Sequence, residues 1–394
     1  MLSQYHWSRA WRTASTCARQ QSTAAASRAR PKTIFSGIQP TGVPHLGNYL
    51  GALRQWVKLQ DEAAPGDRIF YSVVDLHAIT MPQSPHVLRQ NTLETYASLL
   101  AVGLDPNRSV VFSQQDVLEH TQLMWILSCH ASMGYLARMT QWKTKTGVSD
   151  DANPMETSAS DKPALKLGLF SYPVLQAADI LLYQTTHVPV GEDQQQHLEF
   201  ARELANTMNH AYCRGPVSPE SSWTGFPLPQ TILSPAKRIM SLRDPTKKMS
   251  KSDPNPESRI LITDSRQDIE KKIKHALTDS IQGISYDRAL RPGVSNLIDI
   301  MYHMDESNFT SPDQIARDMF GANVTMKAMK EQVAKTIVDR LAPIRDRYLE
   351  TMARPSEDVA QQMYRGAVEA RTRARDTLDQ LKTAMGLRGP NSPL

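Results

Sequence analysis

A chain of 394 residues has room for two domains and a sizeable core, and it needs no disulfide or metal staples to fold. Its composition, 40% hydrophobic and 22% charged, is that of a globular protein, and no run of about 18 apolar residues marks a membrane span. The net charge of +5 does not describe a nucleic-acid surface: residues 1–30 carry Arg9, Arg12, Arg19, Arg28 and Arg30 without any acid, and the remainder balances at 40 basic against 40 acidic side chains.

That leading stretch is also rich in Ser, Thr and Ala and lacks the apolar centre of a secretory signal. Residues 1–31 are therefore predicted to be an organelle presequence, of the mitochondrial rather than the chloroplast kind, processed near 28–32. Cys17, Cys129 and Cys213 are too few and too far apart for a disulfide framework or a zinc ribbon. The eleven His contain neither an HxxxH nor an HExxH spacing.

Residues 33–38 predict a short buried strand, 39–42 a turn and 47–60 a helix. Strand patterns follow at 68–74 and 109–113, with helical patterns at 86–103, stopped by Gly103, and at 118–130. Strands alternating with helices predict an α/β fold, a Rossmann-like parallel sheet with helices on both faces, over 32–240. Residues 145–162 turn polar without an apolar period and predict a surface insertion; helices resume at 173–183 and 194–208, and a Pro-rich stretch covers 215–235. A mobile Lys-rich loop is expected at 241–257. Beyond it 269–278, 296–303, 326–352 and 357–385 all read as helices, so 258–394 is predicted to be an all-helical second domain. In its last helix Val359, Met363, Ala367, Ala370, Ala374, Leu378, Leu381 and Met385 keep a spacing of three or four, and Gly386 supplies the stop.

Two segments carry chemistry. Where the first strand meets its helix, Gln39, Pro40, Thr41 and then His45, Gly47 and Asn48 stand at a helix N-terminus, which attracts anions. Gly47 allows close approach, and His45 and Asn48 can donate to phosphate oxygens. Read alone, His45 is a loop histidine. The second segment, Lys247-Lys248-Met249-Ser250-Lys251-Ser252, has two Lys three apart among small polar residues, a setting for cations that close over a polyphosphate. Read alone, it is a solvated loop.

Together, the His-x-Gly-x segment at His45–Asn48 and the Lys-Met-Ser-Lys-Ser segment at Lys248–Ser252 resemble the two signatures of class I aminoacyl-tRNA synthetases. Segments 32–49, 75–80, 138–145, 172–197 and 238–254 look like the tryptophan branch of that family, in its bacterial and mitochondrial form. The resemblance implies ATP with Mg²⁺ carried on it and no protein-held metal. It further implies L-tryptophan and tRNA(Trp) as partners, a homodimer in the mitochondrial matrix, no membrane, and anticodon binding by 258–394. By the same resemblance Gln39, Pro40, Thr41, Gly47 and Asn48 contact ATP, Gly191, Glu192 and Asp193 hold the adenosine, and Ile239 lies beside the adenine. Lys248, Met249, Ser250, Lys251 and Ser252 grip the phosphates, with His45, Asn48, Lys248 and Lys251 as the catalytic set. Asp179 would accept the indole N–H within a pocket of Phe35, His77, Gln141, Tyr172, Gln176, Ile180, Val188 and Val190.

The residues themselves agree with that division, because apolar Val188-Pro189-Val190 is followed at once by Gly191-Glu192-Asp193. Asp179 is expected to be left unpaired, and so to penalise phenylalanine, when no indole N–H is present; read alone, it is a capped or salt-bridged helix carboxylate. Two departures stand out. Asn48 replaces the second His of the first signature, as it does in much of the tryptophan branch. Gln176 stands where Met is common, and Tyr172, Gln176 and Asp179 have the spacing of tyrosine enzymes, so tyrosine is the alternative substrate; Gln176 is expected to bind the α-ammonium group. A non-catalytic, synthetase-derived RNA-binding protein is the alternative of another class. Arg371, Arg373 and Arg375 alternate with Glu369 and Asp376 and read as a solvated helix face.

Overall fold

The computed structural model describes residues 31–147, 165–191, 194–213, 223–233 and 238–388. The expected presequence up to residue 30, the expected insertion from 148 onward, and Glu192 and Asp193 lie outside the described residues.

Strand β1 (Thr33–Ile38) leads into α1 (Leu46–Asn48), a π-helical turn (Tyr49–Leu53) and α2 (Arg54–Asp61), an irregular version of the helix expected over 47–60. Then follow β2 (Arg68–Val73), α3 (Asp75–Ala78), α4 (Pro85–Ala101), β3 (Val110–Ser113), α5 (Glu119–Ser128), α6 (Met133–Arg138) and α7 (Thr140–Thr146). Next come α8 (Leu167–Leu181), β4 (His187–Val190), α9 (Gln195–Tyr212) and β5 (Gln230–Leu233). Helices α10 (Arg266–Lys274), α11 (Pro292–Met304), α12 (Pro312–Gly321), α13 (Met326–Met352) and α14 (Ser356–Ala384) complete the chain.

The five strands pair in parallel in the order β3-β2-β1-β4-β5. The chain winds outward from β1 through β2 to β3, then crosses to the other side of β1 for β4. That reversal opens a crevice beyond the carboxyl ends of β1 and β4, where such sheets bind their ligands. Three features depart from the sequence expectation. Helix α8 starts at Leu167 rather than 173 and runs through Pro173. Strand β5 is hidden behind Pro227 and Pro229, which punctuate a sequence but suit the approach to an edge strand. Helices α6, α7 and α12 are short and mixed in polarity.

Neighbouring strand residues point to opposite faces. Ile34, Ile69 and Val111 join a core with α10, α11 and α13, whereas Phe35, Phe70 and Phe112 join one with α5, α8 and α9. The second core also takes in Ala367, Ala370 and Ala374 of α14. The C-terminal helices pack on one another, α13 on α10 and α11, and also against the sheet domain, α13 on α4 and α14 on β3, α4 and α5.

Small residues let α14 come close to the edge strand β3. A β-carbon placed on Gly366 would lie 2.2 Å from the carbonyl oxygen of Val111. Gly366→Ala should therefore destabilise the fold by about 2 kcal/mol, because overpacking outweighs the roughly 1 kcal/mol that Ala contributes to a helix interior. Thermal unfolding checks this; an unchanged or raised midpoint would show that the helix can move off the strand at no cost.

Nor is α14 simply solvated on its basic face. Arg371 Nε donates to Glu119 Oε1 at 3.1 Å, and Arg375 stands 3.7 Å from the same oxygen. Glu119 is buried at the start of α5, so these two Arg neutralise an internal carboxylate.

Candidate active site

The loop after β1 is shaped by local hydrogen bonds. His45 caps α1: its Nδ1 accepts from the Asn48 backbone N–H at 3.2 Å, and Asn48 Oδ1 accepts from the His45 N–H at 3.1 Å. With Nδ1 accepting, the neutral ring carries its proton on Nε2, and Asn48 keeps its amide N–H groups as donors. Burial, then the charges of Lys251, Lys248 and Arg259, bring the imidazole pKa down to about 4, so the ring is neutral near pH 7. A β-carbon on Gly47 would sit 3.0 Å from the His45 ring and 3.7 Å from Ile239 Cβ, which makes this helix start a close junction with the Lys loop.

The Lys loop is anchored at its base. Met249 is buried and donates its N–H to Ile239 O at 3.0 Å, Met240 bridges Lys248, and the Ser241 N–H donates to Lys247 O at 2.8 Å. Ser250 and Ser252 join their hydroxyls at 2.8 Å, and Lys248 is exposed. Lys251 reaches across to donate from Nζ to Thr41 O at 2.6 Å, which ties together the two signatures, 210 residues apart.

Burial brings the Lys251 ammonium down to about 8, with Glu94 opposing and Arg259 assisting. The group is thus charged below that pH and neutral above it. If its charge grips phosphate, kcat/KM for ATP should fall roughly tenfold per pH unit above about 8. A profile that stays flat up to pH ~9.5 would show that this charge is not used.

Between the carboxyl ends of β1 and β4 lies a cavity of about 350 Å³. Its walls contain Phe35, His77, Gln141, Tyr172, Gln176, Asp179, Ile180, Val188 and Val190, all of the expected amino-acid pocket, and it reaches Gln39, Asn48 and Gly191. His45, Pro40, Thr41, Gly47, Ile239 and Lys248–Ser252 stand outside its lining, on the two loops. Gly51, Ala52 and Leu53 of the π-helical turn also line it, and such turns recur at functional sites.

Asp179 differs from expectation, because its carboxylate is not unpaired. Oδ1 accepts from Gln114 Nε2 at 2.7 Å and from His120 Nδ1 at 2.6 Å, and Oδ2 accepts from His77 Nε2 at 2.7 Å. Burial alone would raise its pKa, but His120 and His77 reverse this and hold the acid well below the usual carboxylate range. An ionised side chain exposed by only 2% requires such donors, which is why the unpaired acid of the sequence reading does not occur.

Gln176 belongs to a second polar chain. Its Oε1 faces His197 Nδ1 at 2.9 Å and its Nε2 donates to Gln194 Oε1 at 3.2 Å; beyond them His197 Nε2 meets the Tyr172 hydroxyl at 3.2 Å, which donates to Gln141 at 2.5 Å. Lys145, expected to begin a surface insertion, instead ends up on the cavity wall. It lies in α7 with Nζ 5.2 Å from the centre of the Tyr172 ring, and burial lowers its pKa.

Sequence reasoning missed Gln114, His120, Gln194, Lys145 and Arg259. Gln194 directly follows the 188–193 run and Lys145 ends the similar segment 138–145, so both had a local signal. Gln114 and His120 had none, since only the fold brings the residue after β3 and the first turn of α5 to α8.

A doubly wound parallel sheet with this cavity at its switch point, flanked by a capped helix start and a cationic loop, defines a nucleotide-binding enzyme of the Rossmann kind. A family model described as tRNA synthetases class I (W and Y) matches residues 27–342. The mitochondrial tryptophan--tRNA ligase of Schizosaccharomyces pombe is 45% identical over 360 residues, 90% of this chain and 95% of the relative. Among solved structures, tryptophanyl-tRNA synthetase from Mycoplasma pneumoniae superposes with a TM-score of 0.75 at 34% identity, covering 92% of this chain and 99% of its own. The enzyme from Campylobacter jejuni complexed with ADP and tryptophan gives 0.68 at 29% identity, over 90% and 99%. The chain belongs to the class I tRNA synthetases of the W and Y family.

Proposed function

We propose that the chain is a tryptophan--tRNA ligase of mitochondrial translation: it activates L-tryptophan with ATP and transfers the product to tRNA(Trp). The observation that carries the choice of substrate is Asp179, an ionised acid at the wall of an aromatic-lined cavity, continuous with the first phosphate-handling loop. In the reaction a carboxylate oxygen of tryptophan attacks the α-phosphorus of ATP. The new P–O bond forms as the bond to the β-phosphate bridging oxygen breaks, and pyrophosphate leaves. Lys248 and Lys251 stabilise the charge on that leaving group, neutral His45 and Asn48 orient phosphate oxygens, and Gln39, Gly47 and Gly191 lie where the nucleotide passes. Mg²⁺, carried on ATP, shares the charge of the phosphates. Glu192 and Asp193 hold the ribose in this reading.

Amino-acid-dependent exchange of pyrophosphate into ATP tests it. Tryptophan should support exchange; exchange with tyrosine alone would restore the alternative that Gln176 suggests, and none would point to an RNA-binding protein. Gln176 receives the α-ammonium group on the second lone pair of Oε1 in our reading. Gln176→Met should then raise KM for tryptophan by about tenfold, the worth of one hydrogen bond to a charged group, while KM for ATP stays put.

The helical region from 258 would meet the anticodon. The assembly is a homodimer in this reading, supported by Leu118, Trp125 and Met133, which α5 and its flanks expose at 54, 72 and 61%; sedimentation of the full chain decides it. Residues 1–31, fused to a reporter, should carry it into the mitochondrial matrix.

A further inference from the structure

An ionised carboxylate offers about four acceptor positions, two on each oxygen. Asp179 has three of them filled from within the protein: Gln114 and His120 take both positions on Oδ1, and His77 takes one on Oδ2. The position left over is therefore on Oδ2. His77 and Asp179 line the cavity, whereas Gln114 and His120 do not. The side chain is clamped from behind by one oxygen and faces the cavity with the other.

The two rear donors have fixed orientations of their own. Gln114 Oε1 accepts from the Leu76 N–H at 3.2 Å, which turns its Nε2 toward Asp179. His120 is fully buried, and its Nε2 lies 2.8 Å from the hydroxyl of Tyr183. That hydroxyl has a single proton, and Tyr183 itself is held by stacking on Phe35 and Phe70, with centroids at 5.4 and 4.6 Å. Because Asp179 is ionised and can only accept, His120 must carry a proton on Nδ1, and the Tyr183 hydroxyl, which can pair with Nε2 in either direction, anchors the far side of the ring.

We propose that His120 is a positioning residue for substrate choice: bridged between Asp179 and the Tyr183 hydroxyl, it holds Asp179 so that a single acceptor position on Oδ2 meets the indole N–H. The proposal rests on the tryptophan reading of the cavity. His120 touches no substrate. Without it Asp179 can rotate its open position away from the ligand, and the contribution of the indole N–H is lost although the aromatic walls remain.

The test compares two substrates of nearly the same shape in pyrophosphate exchange by the full chain: tryptophan, and its benzothiophene analogue, in which sulfur replaces the ring N–H. The ratio of their kcat/KM values reads the N–H bond to Asp179 apart from packing. His120→Leu should reduce the wild-type preference for tryptophan by about 10- to 100-fold, the range for a hydrogen bond to a charged group. His120→Asn, whose amide N–H can stand where Nδ1 stands, should keep most of the preference, and KM for ATP should not move in either variant. Tyr183→Phe retains the stacking and should lose part of the preference, and it decides the matter if His120→Leu does not fold. A Leu or Phe variant with the wild-type ratio, or an Asn variant no better than Leu, overturns the proposal. A wild-type chain that exchanges with neither substrate overturns the reading of the cavity, and this proposal with it.

Discussion

Replacing Lys251 with alanine should slow tryptophanyl-adenylate formation by about 100- to 1,000-fold while leaving the dissociation constant of tryptophan within about twofold, because the loss falls on charge that develops only in the transition state. The geometry separates the two quantities. Lys251 is outside the lining of the amino-acid cavity and bonds Thr41 O across from the helix start, so its reach is toward phosphate rather than indole. Being partly desolvated, its charge acts through less water than that of Lys248, which is exposed, and removing it should cost more than Lys248→Ala. Stopped-flow adenylate formation and equilibrium tryptophan binding measure the pair of numbers. Equal losses in both would mean that Lys251 shapes the site and does not act on the leaving group.

How much of this was legible in the sequence depends on how local each signal is. Strands β1 to β3 sit within a residue or two of where the sequence put them, because each is a short run rich in β-branched and aromatic residues bounded by turn residues. The two signatures were legible for the same reason: His45–Asn48 make their hydrogen bonds within a span of four residues. Strand β5 was not, since its register comes from pairing with β4 after two prolines that by themselves announce a turn. The tie between Lys251 and Thr41 was legible only as chemistry, not as a contact.

The corrections follow the same line. Arg371 and Arg375 looked like a solvated face because the acid they neutralise, Glu119, lies about 250 positions earlier in the chain, a separation no helical periodicity reports. Lys145 was grouped with polar neighbours although helix α7 turns it inward onto Tyr172. Asp179 was recognised, but its environment is assembled from His77 in α3, Gln114 just after β3 and His120 at the start of α5. Fold topology, and not sequence neighbourhood, brings them together.

That environment changes what Asp179 can do and makes two substitutions behave differently. Asp179→Ala removes the acceptor for Gln114, His120 and His77 together, and breaking a buried charged cluster on one side costs about 3–5 kcal/mol, so this variant should unfold at markedly lower temperature. Asp179→Asn keeps the shape. Its oxygen can stand in for Oδ1 and satisfy Gln114 and His120, and its NH₂ then takes the place of Oδ2. There it faces His77, which can accept by moving its proton to Nδ1, and the indole N–H, which cannot accept at all. The Asn variant should therefore stay within about 1 kcal/mol of wild-type stability yet lose tryptophan activation by about 1,000-fold, since two donors would meet in a buried site. Because an acid already bonded three times leaves only one unmatched position when phenylalanine binds, rejection of phenylalanine should be weaker than an unpaired carboxylate would give, and the Asn variant should favour phenylalanine relative to tryptophan. Unfolding midpoints and exchange rates with both amino acids check this, and an Asn variant that still prefers tryptophan at the wild-type ratio would place the indole N–H elsewhere.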